Sequence, residues 1–414
     1  MTARDPRIAV IGGGIGGLTL ALALRQRGLA ATVYEQAAEL AEIGAAVALS
    51  ANATRELRRL GVLDAVTAAS CEPTDLIYRD GRTGARVAAH PVRDGGAYQA
   101  RFGAPYYGIH RADLQRALSG ALAGDGLHLG HRLTGITEAD GAMRLSFENG
   151  HTAEADLVVG ADGVRSLVRQ YVTGGEGVSY SGTSALRGIV PTAGLRALPD
   201  PYAIQFWMGP DAHLLHYAIG PAGEDVNYFA VMEGPAEWHA PGSTAAIARE
   251  DALAAFAGWH PAVVEMVAAV PDHKRWGLFT VRPLLRWSRG RAVLLGDSAH
   301  AMVPHHGQGA NTTIEDAITL AELLPGAALD GMDALMATYG HLRRARTRKI
   351  QRSSWATNGL LHLPDGPAPH AAAALADRDR RMAAFPEDFA WIHGHDAMMT
   401  ARRARPDGTA LAAA

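Results

Sequence analysis

The stretch "RIAVIGGGIGGLTLALALRQRGLAATVYEQ", Arg7 to Gln36, decides the fold. It parses as strand, tight turn, helix, strand. Ile8 to Ile11 is a short apolar run of the kind that fills a parallel sheet buried on both faces. Gly12, Gly14 and Gly17 give G-x-G-x-x-G. The helix behind them carries Leu18 and Leu22 and meets a glycine stop at Gly28. "ATVYE" is the second strand and ends in Glu35, 23 residues after Gly12. Glycines let the backbone approach a pyrophosphate at a helix N-terminus, where free N–H groups and the helix dipole favour anions. Glu35 is placed to accept hydrogen bonds from a ribose. Its charge repels a 2′-phosphate, so FAD or NAD fits better than NADP. A glycine fingerprint alone also suits a packing turn. The strand before it, the helix after it and the acid ending the next strand make it a dinucleotide site.

The uncharged run from Ile8 to Leu24, between Arg7 and Arg25, also has the outline of a signal-peptide core. Its glycine content and its length, short for a membrane span, argue against that. The 414 residues allow two or three domains. A net charge of −3 leaves no basic footprint for nucleic acid or an anionic membrane. The single cysteine, Cys71, excludes an internal disulfide and any multi-cysteine zinc site, and suits a reducing cytoplasm.

Further on, "ANATRELRRLGVLDAV" reads as a helix with a glycine stop, and "HRADLQRALSGAL" as a helix with Arg111 in its first turn. Arg111 is either a surface charge or a residue that reaches the cofactor. A buried strand, Asp156 to Val159, runs into Gly-Ala-Asp-Gly and a helix; another, Ala292 to Leu295, runs into Gly296-Asp297. Three strand-to-turn junctions with glycine and acid thus lie far apart in sequence. Strands whose C-terminal ends converge on one crevice explain them. Between the last two, "YAIQFWMGPDAHLLHYAIGPAGEDVNYFAVM" reads as an antiparallel meander, and "AAIAREDALAAFAGWHPAVVEMVAAV" as helical. The chain is helical from Ala345 to about Leu361; "HLPDGPAPH" is a linker and "PDGTALAAA" a frayed end.

With these motifs the chain resembles the single-component FAD-dependent aromatic hydroxylases, the class A flavoprotein monooxygenases. Three features carry the likeness: the glycine fingerprint with Glu35, "DLVVGADGVRSLVR", and "RAVLLGDSAHAMVPHHGQGANTTIEDA". "FWMGPDAHLLHYAI" is most like the salicylate, 3-hydroxybenzoate and 6-hydroxynicotinate hydroxylase branch. The resemblance implies an α/β fold, a Rossmann-like FAD-binding domain with an inserted antiparallel-sheet substrate domain and a C-terminal helical segment. The expected division is 1–72, 101–176 and 272–345 for FAD, 73–100 and 177–271 for substrate, and 346–414 for the C-terminal helices and tail.

The family's roles carry over to matching positions. Glu35, with Gln36 beside it, would hold the adenosine ribose. Arg111 would lie along the pyrophosphate and ribityl region, Asp162 in the crevice, and Asp297 on a ribityl hydroxyl. Gly309, Ala310 and Asn311 would offer backbone N–H groups to the isoalloxazine ring. A reduced flavin is an anion, and a helix starting near Thr312 points its positive end there. Thr312-Thr313-Ile314-Glu315 reads as its capping box.

Strand alternation puts His213, Leu215 and Tyr217 on one face of the meander, and Leu214 and His216 on the other. A His and a Tyr sharing a face resemble the pair that contacts the substrate hydroxyl in 6-hydroxynicotinate hydroxylases; a half-buried sheet with a polar fringe is the alternative. His213 is the candidate base and Tyr217 its orienter. His300, His305 and His306 lack the pattern of a metal site, so no metal is expected. His300 reads as structural. His305 and His306 depart from the family, which usually has apolar residues just after Pro304. Either they put a polar edge on the substrate pocket or one points to solvent. Arg187 is a possible carboxylate clamp.

The implied activity is hydroxylation of an electron-rich aromatic, through a flavin hydroperoxide, with noncovalent FAD, NADH or NADPH, and O2. The aromatic is a phenol, hydroxybenzoate or N-heteroaromatic. A larger phenolic or indole substrate, or a flavin oxidase or dehydrogenase, is the alternative. A cytoplasmic monomer or homodimer, without nucleic-acid or membrane partners, is expected.

Overall fold

Ile8–Ile11 forms the centre of a six-stranded sheet. The computed structural model describes residues 5–40, 46–122, 126–139, 141–175, 177–325, 331–363 and 368–405. The sheet runs Ser288–Arg289, Ala292–Leu294, Leu157–Gly160, Ile8–Ile11, Ala31–Tyr34, Leu127–His128. Every neighbour is parallel except the first pair. All four residues of Ile8–Ile11 and of Leu157–Gly160 are buried, as a sheet covered on both faces requires. From Ile8–Ile11 the chain moves to one side for Ala31–Tyr34, and later returns to the other side for Leu157–Gly160. That makes the gap between their C-terminal ends a topological switch point, where open α/β sheets bind ligands.

The helix after the glycine turn is Ile15–Arg25, with Gly14 as its N-cap. A Cβ on Gly12 would stand 2.3 Å from the Ala161 carbonyl oxygen, and one on Gly17 would stand 1.9 Å from that of Gly12. The first glycine lets the two strand-end turns touch, and the second lets the helix pack on its own strand.

The meander appears as Ile204–Gly209, Ala212–Ile219 and Asp225–Glu233 in an eight-stranded sheet. This sheet also takes Thr244–Ala246, Lys274–Thr280, Ser179–Pro191, Asp75–Asp80 and Arg86–Pro91. One pair, Ile204–Gly209 with Asp75–Asp80, is parallel, so the sheet is mixed. One face packs Trp207, Leu214 and Tyr228 against Ala252, Val263 and Met266 of two short helices, Arg249–Ala254 and Pro261–Ala268. The other face carries Phe206, Leu215 and Tyr217. The expected face alternation is therefore present.

Several expected elements differ. "ANATRELRRLGVLDAV" is two helices, Ala51–Arg59 and Leu63–Ala68, broken at Gly61, whose φ is +74°. The segment expected to be helical from 245 opens with strand residues that pair with Arg275 and Lys274. The linker is shorter than expected, because a helix starts at Ala368. The middle of that linker, 364–367, and the frayed end 406–414 lie outside the described residues. A 30-residue helix, Met332–Leu361, crosses from the parallel sheet to the mixed one. No described helix is long and apolar enough to cross a membrane.

Candidate active site

The glycine turn and the Gly-Ala-Asp-Gly turn line a cleft of about 590 Å³, together with Glu35, Arg111 and Gln115. A second cavity of about 170 Å³ shares Gly14 and Arg111 with the first and reaches Asp297, Gly309, Ala310 and Thr313. The two form one path from the end of Ala31–Tyr34 to the start of the helix Gly309–Leu323.

Each candidate cofactor residue has a definite place on that path. The Glu35 carboxylate accepts from the Gly13 amide at 2.7 Å and the Ala37 amide at 2.8 Å. Gln36 accepts from Arg132 at 2.5 Å. A Cβ on Gly14 would meet nothing within 4 Å, so the backbone there is open to a ligand. Arg111, on the wall of both cavities, begins the helix Arg111–Leu122. Asp297 is exposed on the wall of the smaller cavity and makes no hydrogen bond or ion pair among the described residues. An unpaired carboxylate facing a cleft suits a ligand's hydroxyl groups.

Asp162 lines the cleft, but its oxygens are engaged. One accepts from Ser166 Oγ at 2.5 Å, and the other from the Leu167 and Val168 amides. It thus takes two amides at the start of the helix Leu167–Thr173, whose N-cap is Ser166. Burial pushes its pKa up, against these hydrogen bonds. Asn311 is fully buried, and its side chain ties the Ser50 amide to the Ala48 and Gly307 carbonyls. Only its backbone remains for a ligand.

The helix expected near Thr312 begins three residues earlier, at Gly309, so the capping box does not form. Thr312 donates back to Gln308 O at 2.7 Å, and Glu315 is interior. Glu315 binds Arg346, Arg343 and Asn52. Its neighbour Asp316 binds Arg343 at 2.6 Å, His300 at 2.6 Å and the Gly296 amide at 2.9 Å. Burial pushes both carboxyls up. For Glu315, Arg346 and Arg343 more than reverse this; for Asp316, His300 and Arg343 do, and both groups end low. The network ties the Gly-Asp turn to the long helix. His300 is structural, as expected, and stacks on Trp287.

The three histidines of the turn go separate ways. His306 bonds Ser353 at 2.9 Å and packs edge-on to Phe389 at 4.5 Å. Burial holds its pKa down at about 4. It is half-buried between the long helix and Phe389. His305 is 2% exposed, and neither of its ring nitrogens has a partner among the described residues. Its ring stands edge-on to His213 at 5.1 Å. Burial, then the charges of His362 and His306, hold its pKa well below the usual range. The Pro304 carbonyl accepts from the Gly307 amide at 2.8 Å and closes this turn.

His213 lies on the expected sheet face, 2% exposed. Tyr217 does not orient it. Four residues along a strand span about 13 Å, and Tyr217 packs in the aromatic cluster over Gly108 instead. The partner of His213 is His362, with Nδ1 to Nε2 at 2.7 Å. Burial, then His305 and His362, push the His213 pKa far down, so the ring is neutral at pH 7. Arg187 lies flat on Trp276, its guanidinium carbon 3.3 Å from the ring centroid. It shares a cross-strand row with Phe229 and Leu215.

Several residues in this arrangement escape local sequence reading: Gln115, which holds the Gly13 carbonyl at 2.8 Å, and Asn52, Arg343, Arg346, His362 and Glu233. One signal was available. Arg343, Thr347, Gln351 and Ser354 recur at helical spacing and are all buried on the long helix. From there Gln351 donates to the Val281 carbonyl and Ser354 to the Val303 carbonyl.

A family described as "FAD binding domain" matches residues 5–354. A 3-amino-4-hydroxybenzoate 2-monooxygenase of Streptomyces cremeus is 38% identical, over 100% of this chain and 99% of that protein. A 6-hydroxynicotinate 3-monooxygenase of Bordetella bronchiseptica is 35% identical, over 84% and 90%. The solved salicylate hydroxylase substrate complex superposes with a TM-score of 0.82 at 27% identity, over 98% of this chain and 99% of that one.

Proposed function

This chain belongs to the FAD-binding family of flavoprotein monooxygenases, and we propose that it hydroxylates a phenolic ring bearing a carboxylate, with 3-amino-4-hydroxybenzoate the first candidate. The observation that carries this reading is the buried His213 imidazole on the sheet face. It stands against His305, in the turn that feeds the helix Gly309–Leu323. A phenol becomes a strong ring nucleophile when its proton leaves, and a positioned neutral imidazole is the group to take it. The full-length likeness to an aminohydroxybenzoate enzyme supports the ring chosen.

FAD, when bound, supplies the activation of O2, with NADH or NADPH as the electron source. The chain's own residues do the rest. Glu35 would hold the ribose at one end of the cleft, and Asp297 would take hydroxyl groups farther along. The amides of Gly309 and Ala310, in the first helical turn, favour negative charge at the other end. Arg187 offers a cation to the substrate carboxylate. Phe206, Leu215 and Phe229, in successive strands of the same face, keep water from the ring.

The test follows NADH and NADPH oxidation together with product mass, for 3-amino-4-hydroxybenzoate, 6-hydroxynicotinate and salicylate. One hydroxylated product for each nicotinamide consumed is expected with at least one of them. Substrate-stimulated oxidation yielding only hydrogen peroxide would overturn the reading in favour of an oxidase.

A further inference from the structure

A buried base that takes a phenolic proton must also be able to pass it on. We propose that His213, His362 and Glu233 form a relay that carries this proton from the sheet face to solvent. The relay rests on the phenol chemistry argued above. His362 Nδ1 lies 2.8 Å from Glu233 Oε1, completing the chain that starts with the 2.7 Å contact between His213 and His362. The His362 side chain is 3% exposed and that of Glu233 is 49% exposed, so one end is dry and the other meets water. The three residues come from separate elements. His213 is second in the strand Ala212–Ile219, Glu233 ends the neighbouring strand Asp225–Glu233, and His362 caps the long helix.

Connectivity alone orders the protons. A carboxylate only accepts, so His362 presents its N–H at Nδ1. A neutral imidazole has one N–H, so His362 Nε2 is an acceptor. His213 must then present its own N–H at Nδ1. That leaves His213 Nε2 with a bare lone pair, and this nitrogen makes no hydrogen bond to a described residue. The base is specified at one atom by a carboxylate two residues away along the chain of contacts.

In the step, the phenolic O–H bond breaks and its proton bonds to His213 Nε2, while the oxygen keeps the electron pair. The Nδ1 proton of His213 passes to His362 Nε2. The Nδ1 proton of His362 passes to Glu233 or to water beside it. No electrons change hands. When the hydroxylated ring regains its aromaticity, its oxygen takes a proton back along the same path and both tautomers reset. The titratable groups facing the relay are His305 beside His213, and Asp211 near His362.

Nitrogen-15 histidine NMR on the FAD-loaded enzyme without substrate reads the tautomers directly, with signals assigned from His213→Gln and His362→Gln. Both rings are expected in the Nδ1–H form, and either ring in the Nε2–H form overturns the relay whatever the substrate proves to be. Glu233→Gln keeps an acceptor but removes the proton sink; Glu233→Leu removes both. With 3-amino-4-hydroxybenzoate as probe, both variants should lower kcat for product roughly 10²-fold, the lower range for a proton-transfer group. KM should stay within about threefold, as expected when ground-state binding is untouched. Only Glu233→Leu should release the tautomers. Unchanged kcat and pH profile in Glu233→Leu would also overturn the relay. A wild type that does not hydroxylate the probe yet shows both Nδ1–H tautomers supports the relay and sinks only the proposed substrate.

Discussion

Two buried polar clusters grow out of the same turn, and they are built on opposite terms. In the first, His300, Glu315, Asp316, Arg343 and Arg346 are nearly or wholly enclosed, and both carboxylates meet guanidinium groups at 2.6 to 2.8 Å. In the second, among the described residues, His213 has one hydrogen-bond partner and His305 has none. Burying a polar group without a hydrogen bond costs stability. The first cluster avoids that cost by pairing, and it locks the Gly-Asp turn to the long helix. The second accepts it, and keeps nitrogen lone pairs free in a dry place. The difference separates the part of the turn that holds the fold from the part that we propose meets a substrate.

The sharpest way to break this contrast is Arg343→Met. Removing one partner from a buried ion-pair network strands the carboxylates, a loss of about 3–5 kcal/mol. Urea unfolding with FAD in fixed excess measures it. A loss below about 1 kcal/mol would mean that the network does not hold the turn.

Asp297→Ala probes the carboxylate three residues before His300, which is unpaired among the described residues and lines the cleft. Its contribution belongs to the ligand, so FAD affinity should fall by roughly 1.5–3 kcal/mol, the range for a charge-assisted hydrogen bond. The stability of the apoprotein should barely change. Full flavin retention, read by fluorescence titration, would place the ribityl site elsewhere.

His305→Leu should have the smallest effect on stability at pH 7, within about 1 kcal/mol, because no hydrogen bond is lost. Its signature is pH dependence. Since the folded pKa of His305 is depressed, the unfolded chain binds a proton that the folded one refuses. Stability is therefore full above the ordinary value of about 6.5 and drains as pH falls below it, by up to about 1.4 kcal/mol per pH unit for one such group. The variant should have a shallower acid arm than the wild type. Identical acid arms would show that His305 is not held neutral by burial, and the contrast between the clusters would lose its basis.

The cleft proposed for the flavin is lined by residues that are largely legible in the sequence. The glycine fingerprint, Glu35 and the two later strand-to-turn junctions each declare themselves within a few residues, and the cleft runs past all of them. Glu315 was misread for the same reason that those were readable. The spacing T-x-x-E is local, and nothing local reveals that the helix begins at Gly309 and turns Glu315 inward toward Arg343 and Arg346. Tyr217 was misread because strand alternation reports a shared face, and a shared face is not contact.

By itself the sequence determined the strand–turn–helix unit, the glycine-capped helix start and the face on which His213 lies. These depend on side-chain periods and backbone hydrogen bonds that close over a few residues. Only the tertiary structure decided the partners of the titratable groups. His213 and His362 are 149 residues apart, as Asp316 and Arg343 are 27 apart on different helices. Their meeting depends on where one 30-residue helix crosses two sheets. Burial at that crossing keeps the imidazoles neutral, and the cationic partners brought there keep the buried carboxylates charged.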